Sequence, residues 1–253
     1  MASLAETAIE AAGEMLARAD RIAILTGAGI SAESGVPTFR GAHGLWNDAE
    51  LQRLATPQGF ARDPRAVWAW YSSRRTEALR CAPNPGHVAV AAMERELRAR
   101  VTVVTQNVDG LHRRAGTTDL VEVHGSLFTT RCCDCPFTME GDEREYGKPP
   151  RCPECAGRLR PGVVWFGEML PGEALDRAGE AMDTCDVLLI VGTSAVVQPV
   201  AAMPLYARAH GARLIEVNPN PTPITSACDI AFALPSGQCL PRLLSVAQTR
   251  MSA

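Results

Sequence analysis

Arg21-Ile22-Ala23-Ile24-Leu25-Thr26-Gly27-Ala28-Gly29-Ile30-Ser31-Ala32 runs a short apolar segment directly into the pattern G-x-G-x-x-G/A. An apolar, β-branched run on both faces predicts a strand buried in a parallel sheet. The glycines that follow predict a dinucleotide loop: Gly27 permits the tight turn, and Gly29 lets backbone approach a pyrophosphate at the start of the next helix. A glycine turn that merely ends a strand fits the same residues. The acidic residue expected about 20 positions on, at the end of a second strand, is missing. Asp48 and Glu50 lie near that distance, but in HGLWNDAE, which is no strand.

Outward from this segment, apolar runs alternate with helical periodicity. Strands are predicted at Arg21–Thr26, Val101–Thr105, Leu120–Val123, Asp186–Val191, Arg213–Val217 and Ile230–Ala233. Helices are predicted at Ala5–Arg18, Arg65–Leu79, His87–Arg98, Gly172–Met182, Pro199–His210 and Gln238–Ala247. Helices between strands imply right-handed crossovers and an α/β fold with a Rossmann-like parallel sheet. Two stretches break the alternation and predict a smaller inserted lobe: a helical part at about 41–82, and a cysteine module at about 126–161. The sheet core then comprises about 1–40, 83–125 and 162–253, all within a single domain.

Composition narrows the function classes. The chain has 253 residues, 46% hydrophobic and 21% charged, with net charge -3. These are globular values, and they give no electrostatic case for dedicated nucleic-acid binding. No apolar run reaches the roughly 20 residues of a membrane span. The first segment reads as an amphipathic helix carrying Glu6, Glu10 and Glu14, unlike a secretory or transit signal, so a cytoplasmic location is expected. Nine cysteines, an odd number, argue for thiols or metal ligands rather than a disulfide framework.

Cys132-x-x-Cys135 is followed sixteen residues later by Cys152-x-x-Cys155. Each pair can grip one metal ion from a tight turn, and four thiolates make a closed tetrahedral zinc site. With no open position such a zinc is structural; a redox dithiol is the alternative. Polar residues cluster at other predicted strand ends: Gln106, Asn107 and Asp109 after one, His124 after another, then Gly192-Thr193-Ser194 and Asn218-Pro219-Asn220. Amides and a carboxylate suit sugar hydroxyls and a carboxamide, and a histidine with a reference pKa near 6.5 can accept a proton at neutral pH. Singly, Asn107-Val-Asp109 also fits a helix cap and His124 a packed histidine. Together, at one edge of one sheet, they favour a site.

These residues carry a family signature. GAGISAESGVPTFRG (Gly27–Gly41), TQNVDGLH (Thr105–His112), VHG (Val123–Gly125), the paired CxxC module, VVWFGE (Val163–Glu168), VGTS (Val191–Ser194) and EVNPNP (Glu216–Pro221) occur in the order found in the sirtuins, NAD-dependent protein lysine deacylases, which the chain resembles from about Arg21 to Leu244. The resemblance implies that Gly27, Ala28, Gly29, Ser31, Glu33, Thr38, Phe39, Arg40 and Trp46 line the NAD loop. It places Gln106, Asn107, Val108 and Asp109 at the nicotinamide ribose and carboxamide. Gly192, Thr193, Ser194, Asn218, Pro219, Asn220 and Ser236, the last in the turn before the final helix, take the remaining phosphate, ribose and adenine parts. Val163, Val164 and Phe166 would flank the acyl-lysine tunnel and pair with an extended peptide. His124 would be the general base, with Asn107 and Asp109 beside it.

Within the family, Tyr71 and Arg74 resemble the Tyr-x-x-Arg pair of the class III branch, which favours succinyl and malonyl groups. LATPQGF and HGSLF also look like that branch. At i and i+3 on a helix the pair shares a face, and arginine can hold a carboxylate through two parallel bonds. The implied partners are acyl-lysine proteins, acted on by a monomer. An ADP-ribosyltransferase on the same fold is the competing activity. A non-enzymatic NAD-binding or zinc-ribbon module is the third reading, disfavoured by the intact His124, Asn107 and Asp109 set.

Overall fold

Residues 4–37 and 49–252 are described by the computed structural model. Helix α1 (Leu4–Arg18) precedes β1 (Arg21–Thr26), which passes into the five-residue α2 (Ala28–Ala32). Next come α3 (Ala49–Leu54), α4 (Pro57–Arg62), α5 (Pro64–Arg80), α6 (Pro85–Glu96), β2 (Arg100–Thr105), α7 (Leu111–Ala115) and β3 (Leu120–Glu122). Strands β4 (Gly125–Cys132), β5 (Thr138–Met139) and β6 (Leu159–Val163) follow, then α8 (Gly172–Thr184), β7 (Val187–Val191), α9 (Met203–Ala209), β8 (Arg213–Val217), β9 (Ile230–Phe232) and α10 (Ser236–Ser252).

Six strands form one parallel sheet in the order β3-β2-β1-β7-β8-β9. Counting only these strands, the order is 3-2-1-4-5-6, the doubly wound arrangement whose ligand crevice opens beyond the carboxyl ends at the β1/β7 switch point. Alternate residues of β1 feed two cores, as strand geometry requires. Ile22 and Ile24 pack with residues of α1, α6 and α10 on one face, whereas Ala23 and Leu25 pack with those of α8 and α9 on the other.

The second sheet, β5-β4-β6, is antiparallel, and its apolar residues pack against α4 and α5 around Phe60, Trp68, Tyr71 and Trp165. Three helices that begin in this half of the chain share one local device. Thr56, Asp63 and Asn84 each cap a helix whose next residue is proline, accepting from Gly59 N, Ala66 N and Gly86 N respectively. The proline presets φ where no intrahelical N–H is needed.

Two predicted helices differ. The span expected at Pro199–His210 is a 3₁₀ turn over Val200–Ala202 followed by α9, because Pro204 brings no N–H to a continuous ladder. The last helix starts at Ser236, so this residue lies in the helix rather than in a preceding turn. Glu33 explains the earlier start: its Oε2 accepts both Ser236 Oγ and Gly237 N at 2.8 Å, a carboxylate at a helix N-terminus. Among the described residues no helix is long and apolar enough to cross a membrane.

Candidate functional site

The β1 and β7 ends approach so closely that side chains are excluded. Gly27 N donates to Val191 O at 3.0 Å, and Gly29 N donates to Gly192 O at 2.7 Å. A Cβ on Gly29 would lie 2.7 Å from Gly192 Cα, and one on Gly192, whose φ is +60°, would lie 2.3 Å from Ile30 N. The sequence assigned Gly29 to backbone approach by a pyrophosphate. In the structure its first requirement is contact with the other half of the sheet.

A belt of hydrogen bonds crosses the carboxyl edge from this contact. His124 Nδ1 lies 3.1 Å from Gln106 O. Gln106 Nε2 donates to Thr193 Oγ1 at 2.9 Å, and Asn218 Nδ2 donates to Thr193 O at 2.8 Å. Asn107 Nδ2 donates to Gly27 O at 3.1 Å and to Ser31 Oγ at 3.2 Å. Ser31 Oγ in turn donates to Asp109 Oδ2 at 2.7 Å. Residues from β3, β2, β1, β7 and β8 therefore meet at one edge. Ser194, Pro219 and Asn220 lie exposed at its rim, Ala28 is half-buried and Val108 is buried. Glu33 turns to α10, and Thr38, Phe39, Arg40 and Trp46 lie outside the described residues.

His124 sits between β3 and β4, where the parallel sheet hands over to the antiparallel one. Its neighbour at Nδ1 is a carbonyl, which only accepts, so Nδ1 carries the proton and Nε2 keeps a lone pair. Burial lowers its pKa below the ordinary histidine value, opposed by the bond to Gln106, so the ring is neutral at pH 7. Asp109 is buried. Its Oδ1 accepts Leu111 N at 2.9 Å in a turn just before the helix, whose N-cap is Gly110 rather than Asp109, and its Oδ2 accepts from Ser31. Desolvation raises its pKa against the bonds from Leu111 and Ser31 and the charge of Arg74.

The sequence reading missed a polar cluster directly beneath. His112 Nε2 lies 2.9 Å from Thr26 Oγ1, which donates to Thr105 Oγ1 at 2.7 Å, and His87 Nε2 lies 3.4 Å from Ser31 Oγ. Burial holds the His87 and His112 pKa values at about 4 and about 3, so both rings are neutral supports. The signal was present: His112 closes the TQNVDGLH run, and His87 is the third residue after the cap Asn84.

Tyr71 and Arg74 share a face of α5. Tyr71 is buried and Arg74 half-buried, its guanidinium 5.2 Å from the Trp70 ring centroid and close enough to Asp109 for their charges to interact. Val164 N donates to His124 O at 2.9 Å, which draws the segment after β6 alongside the histidine. Val163 is buried there, Val164 half-buried, and Phe166 exposed.

This edge is the signature of a known family. A model described as the Sir2 family matches residues 27–199. The chain belongs to the Sir2 family. It is 50% identical over 228 residues, 90% of this chain and 92% of the relative, to a protein of Ralstonia nicotianae named NAD-dependent protein deacylase. It is 49% identical over 240 residues, 91% and 96% of the two chains, to NAD-dependent protein deacylase 1 of Pseudomonas aeruginosa. Among solved structures, a Sir2 homolog–NAD complex superposes with TM-score 0.89 at 42% identity, covering 96% of this chain and 94% of that one. A Sir2 protein bound to a myristoylated histone peptide gives TM-score 0.78 at 35% identity, covering 98% and 99%.

The Sir2 chain also gathers the four predicted metal ligands. The sulfurs of Cys132, Cys135, Cys152 and Cys155 all lie within 4.8 Å of one another, with Cys132–Cys155 at 3.5 Å and Cys135–Cys152 at 3.6 Å. Zinc–sulfur bonds of about 2.3 Å in a tetrahedron put sulfurs about 3.8 Å apart, which these spacings fit. Backbone N–H groups of Asp134 and Gly157 point at Cys132 and Cys155, as thiolates favour. Zinc here would hold the two turns together and supply no chemistry. Elemental analysis is expected to find about one zinc per chain, lost in Cys152→Ser together with the near-ultraviolet circular dichroism of the small lobe. A zinc-free wild-type protein that forms disulfides on oxidation would contradict the assignment.

Proposed function

We propose that this chain is an NAD-dependent protein-lysine deacylase that removes succinyl and malonyl groups, and accepts acetyl, from lysine side chains. Nicotinamide leaves, water enters, and the products are free lysine and 2′-O-acyl-ADP-ribose. The observation that carries the reading is the neutral His124, with Nε2 free to accept a proton, inside the belt formed by Gln106, Asn107, Ser31 and Thr193.

Each residue has a physical role in this reading. His124 takes a proton from a ribose hydroxyl at Nε2 while the Gln106 carbonyl steadies the charge forming at Nδ1. Asn107 commits its amide hydrogens to Gly27 O and Ser31 Oγ, leaving its side-chain oxygen as an oriented acceptor. Asp109 fixes Ser31 and closes the carboxamide side. The backbone near Val164 lies beside His124, so an extended peptide laid there brings its acyl-lysine to the base.

For the acyl group, Tyr71 and Arg74 offer a hydroxyl and a guanidinium. The Tyr71 pKa is raised to about 12 by burial, so the phenol keeps its proton as a donor. A terminal carboxylate accepts from both groups; a methyl accepts from neither.

Mass spectrometry of a succinyl-lysine peptide incubated with NAD is expected to show loss of the succinyl mass, absent in His124→Ala. An added ADP-ribosyl mass instead would replace the reading with ADP-ribosyl transfer. Because His124 works as the neutral base and burial lowers its pKa, the acid limb of kcat/KM should be centred below the ordinary histidine value near 6.5. An acid limb centred above pH 6.5 would contradict the base assignment. Arg74→Met is expected to lower the succinyl-to-acetyl ratio of kcat/KM roughly tenfold or more. An unchanged ratio would remove Arg74 as the selector.

A further inference from the structure

Trp165 lies in the segment between β6 and α8. Its indole Nε1 donates to the Tyr71 hydroxyl at 3.0 Å, both groups being buried. Three other contacts fix the ring. Glu168 Oε2 accepts its backbone N–H at 2.8 Å, the Arg160 guanidinium lies 3.4 Å from the ring centroid, and the Phe60 ring packs tilted against it with centroids 5.2 Å apart. Arg160 is itself held by Glu168.

An indole N–H only donates, and a phenol has one proton and two lone pairs. The bond from Trp165 therefore occupies a lone pair of Tyr71 and commits the phenolic proton to some other acceptor. A cation against the indole face draws electron density from the ring and strengthens its N–H as a donor. Accepting that bond makes the Tyr71 hydroxyl a better donor in its turn. The acceptor that fits is an anionic oxygen, since Arg74 lies one helical step along the same face.

We infer that Trp165 is a positioning residue for acyl selection: through Tyr71 it aims a phenolic proton at the terminal carboxylate of the substrate acyl group. The inference rests on the acidic-acyl reading above and adds to it a residue that never touches the substrate. It also joins selection to the turn Trp165–Glu168, which runs on from the peptide-facing backbone at Val164.

The experiment is steady-state kinetics with succinyl- and acetyl-lysine peptides of one sequence, on wild type, Trp165→Phe, Tyr71→Phe, the double variant and Arg74→Met. Trp165→Phe keeps a ring against Arg160 but removes the donor. It is expected to lower the succinyl-to-acetyl ratio of kcat/KM roughly fivefold, through a higher succinyl KM rather than a lower kcat. In the Tyr71→Phe background the same substitution should leave the ratio where Tyr71→Phe put it. Equal losses on both substrates, or an undiminished effect without the Tyr71 hydroxyl, would overturn the inference. If Arg74→Met leaves the ratio unchanged, the acidic-acyl reading itself fails; if Arg74→Met lowers it and Trp165→Phe does not, only the role of Trp165 falls. Should Trp165→Phe not fold, the assigned indole N–H resonance of Trp165 in the wild-type protein decides. It should move on adding succinyl peptide and stay still with acetyl peptide, and equal movement overturns the role.

Discussion

Six parallel strands that finish on the same edge bring polar residues from distant parts of the chain within bonding reach of one another. What keeps them in register is the contact of Gly27 and Gly29 with the end of β7, where two backbone hydrogen bonds close the switch point and leave no room for a Cβ. Every further bond of the site starts from that junction: Asn107 reaches Gly27 O, Gln106 and Asn218 reach Thr193, and His124 reaches Gln106. A substitution that widened the junction would loosen all of them together, because each partner is held by the next.

Much of this edge could be read from the sequence. Strands buried on both faces reveal themselves as apolar β-branched runs, and β1 and β8 have the predicted limits, Arg21–Thr26 and Arg213–Val217. Polar residues directly after such runs fall at the carboxyl edge by geometry alone. The cysteine pairs were legible because metal-ligand spacing is local. Contacts across long sequence separations were not. Nothing near Glu33 signals that it caps α10, whose first residue is 203 positions on. Nor does the sequence show that Arg75, next to the selected Arg74, is buried against Asp142.

Those two arginines show how the small lobe serves the site. Arg75 is buried, donating to Leu127 O at 2.8 Å and facing Asp142 at 3.5 Å, with both side chains out of water. Asp142, its pKa held down to about 2 by Arg144, Thr130, Tyr146 and Arg75 against its own desolvation, lies in the loop between β5 and β6 that leads to the second cysteine pair. A buried pair of this kind costs desolvation and repays it with a defined geometry. Here it fixes α5, the helix that carries Tyr71 and Arg74, against β4. The four-cysteine module and the helix that carries Tyr71 and Arg74 are thus joined into one support through Arg75, Trp68 and Trp165.

In the proposed reaction His124 must stand within reach of a hydroxyl of the nicotinamide ribose. A crystal structure of the protein with NAD and a succinyl-lysine peptide measures this directly. His124 Nε2 is expected within hydrogen-bond distance of a nicotinamide-ribose hydroxyl, with Nδ1 still on Gln106 O and the dinucleotide lying along the carboxyl edge of the sheet. Nicotinamide ribose bound away from this edge, or His124 turned so that Nε2 faces the protein interior, would contradict it.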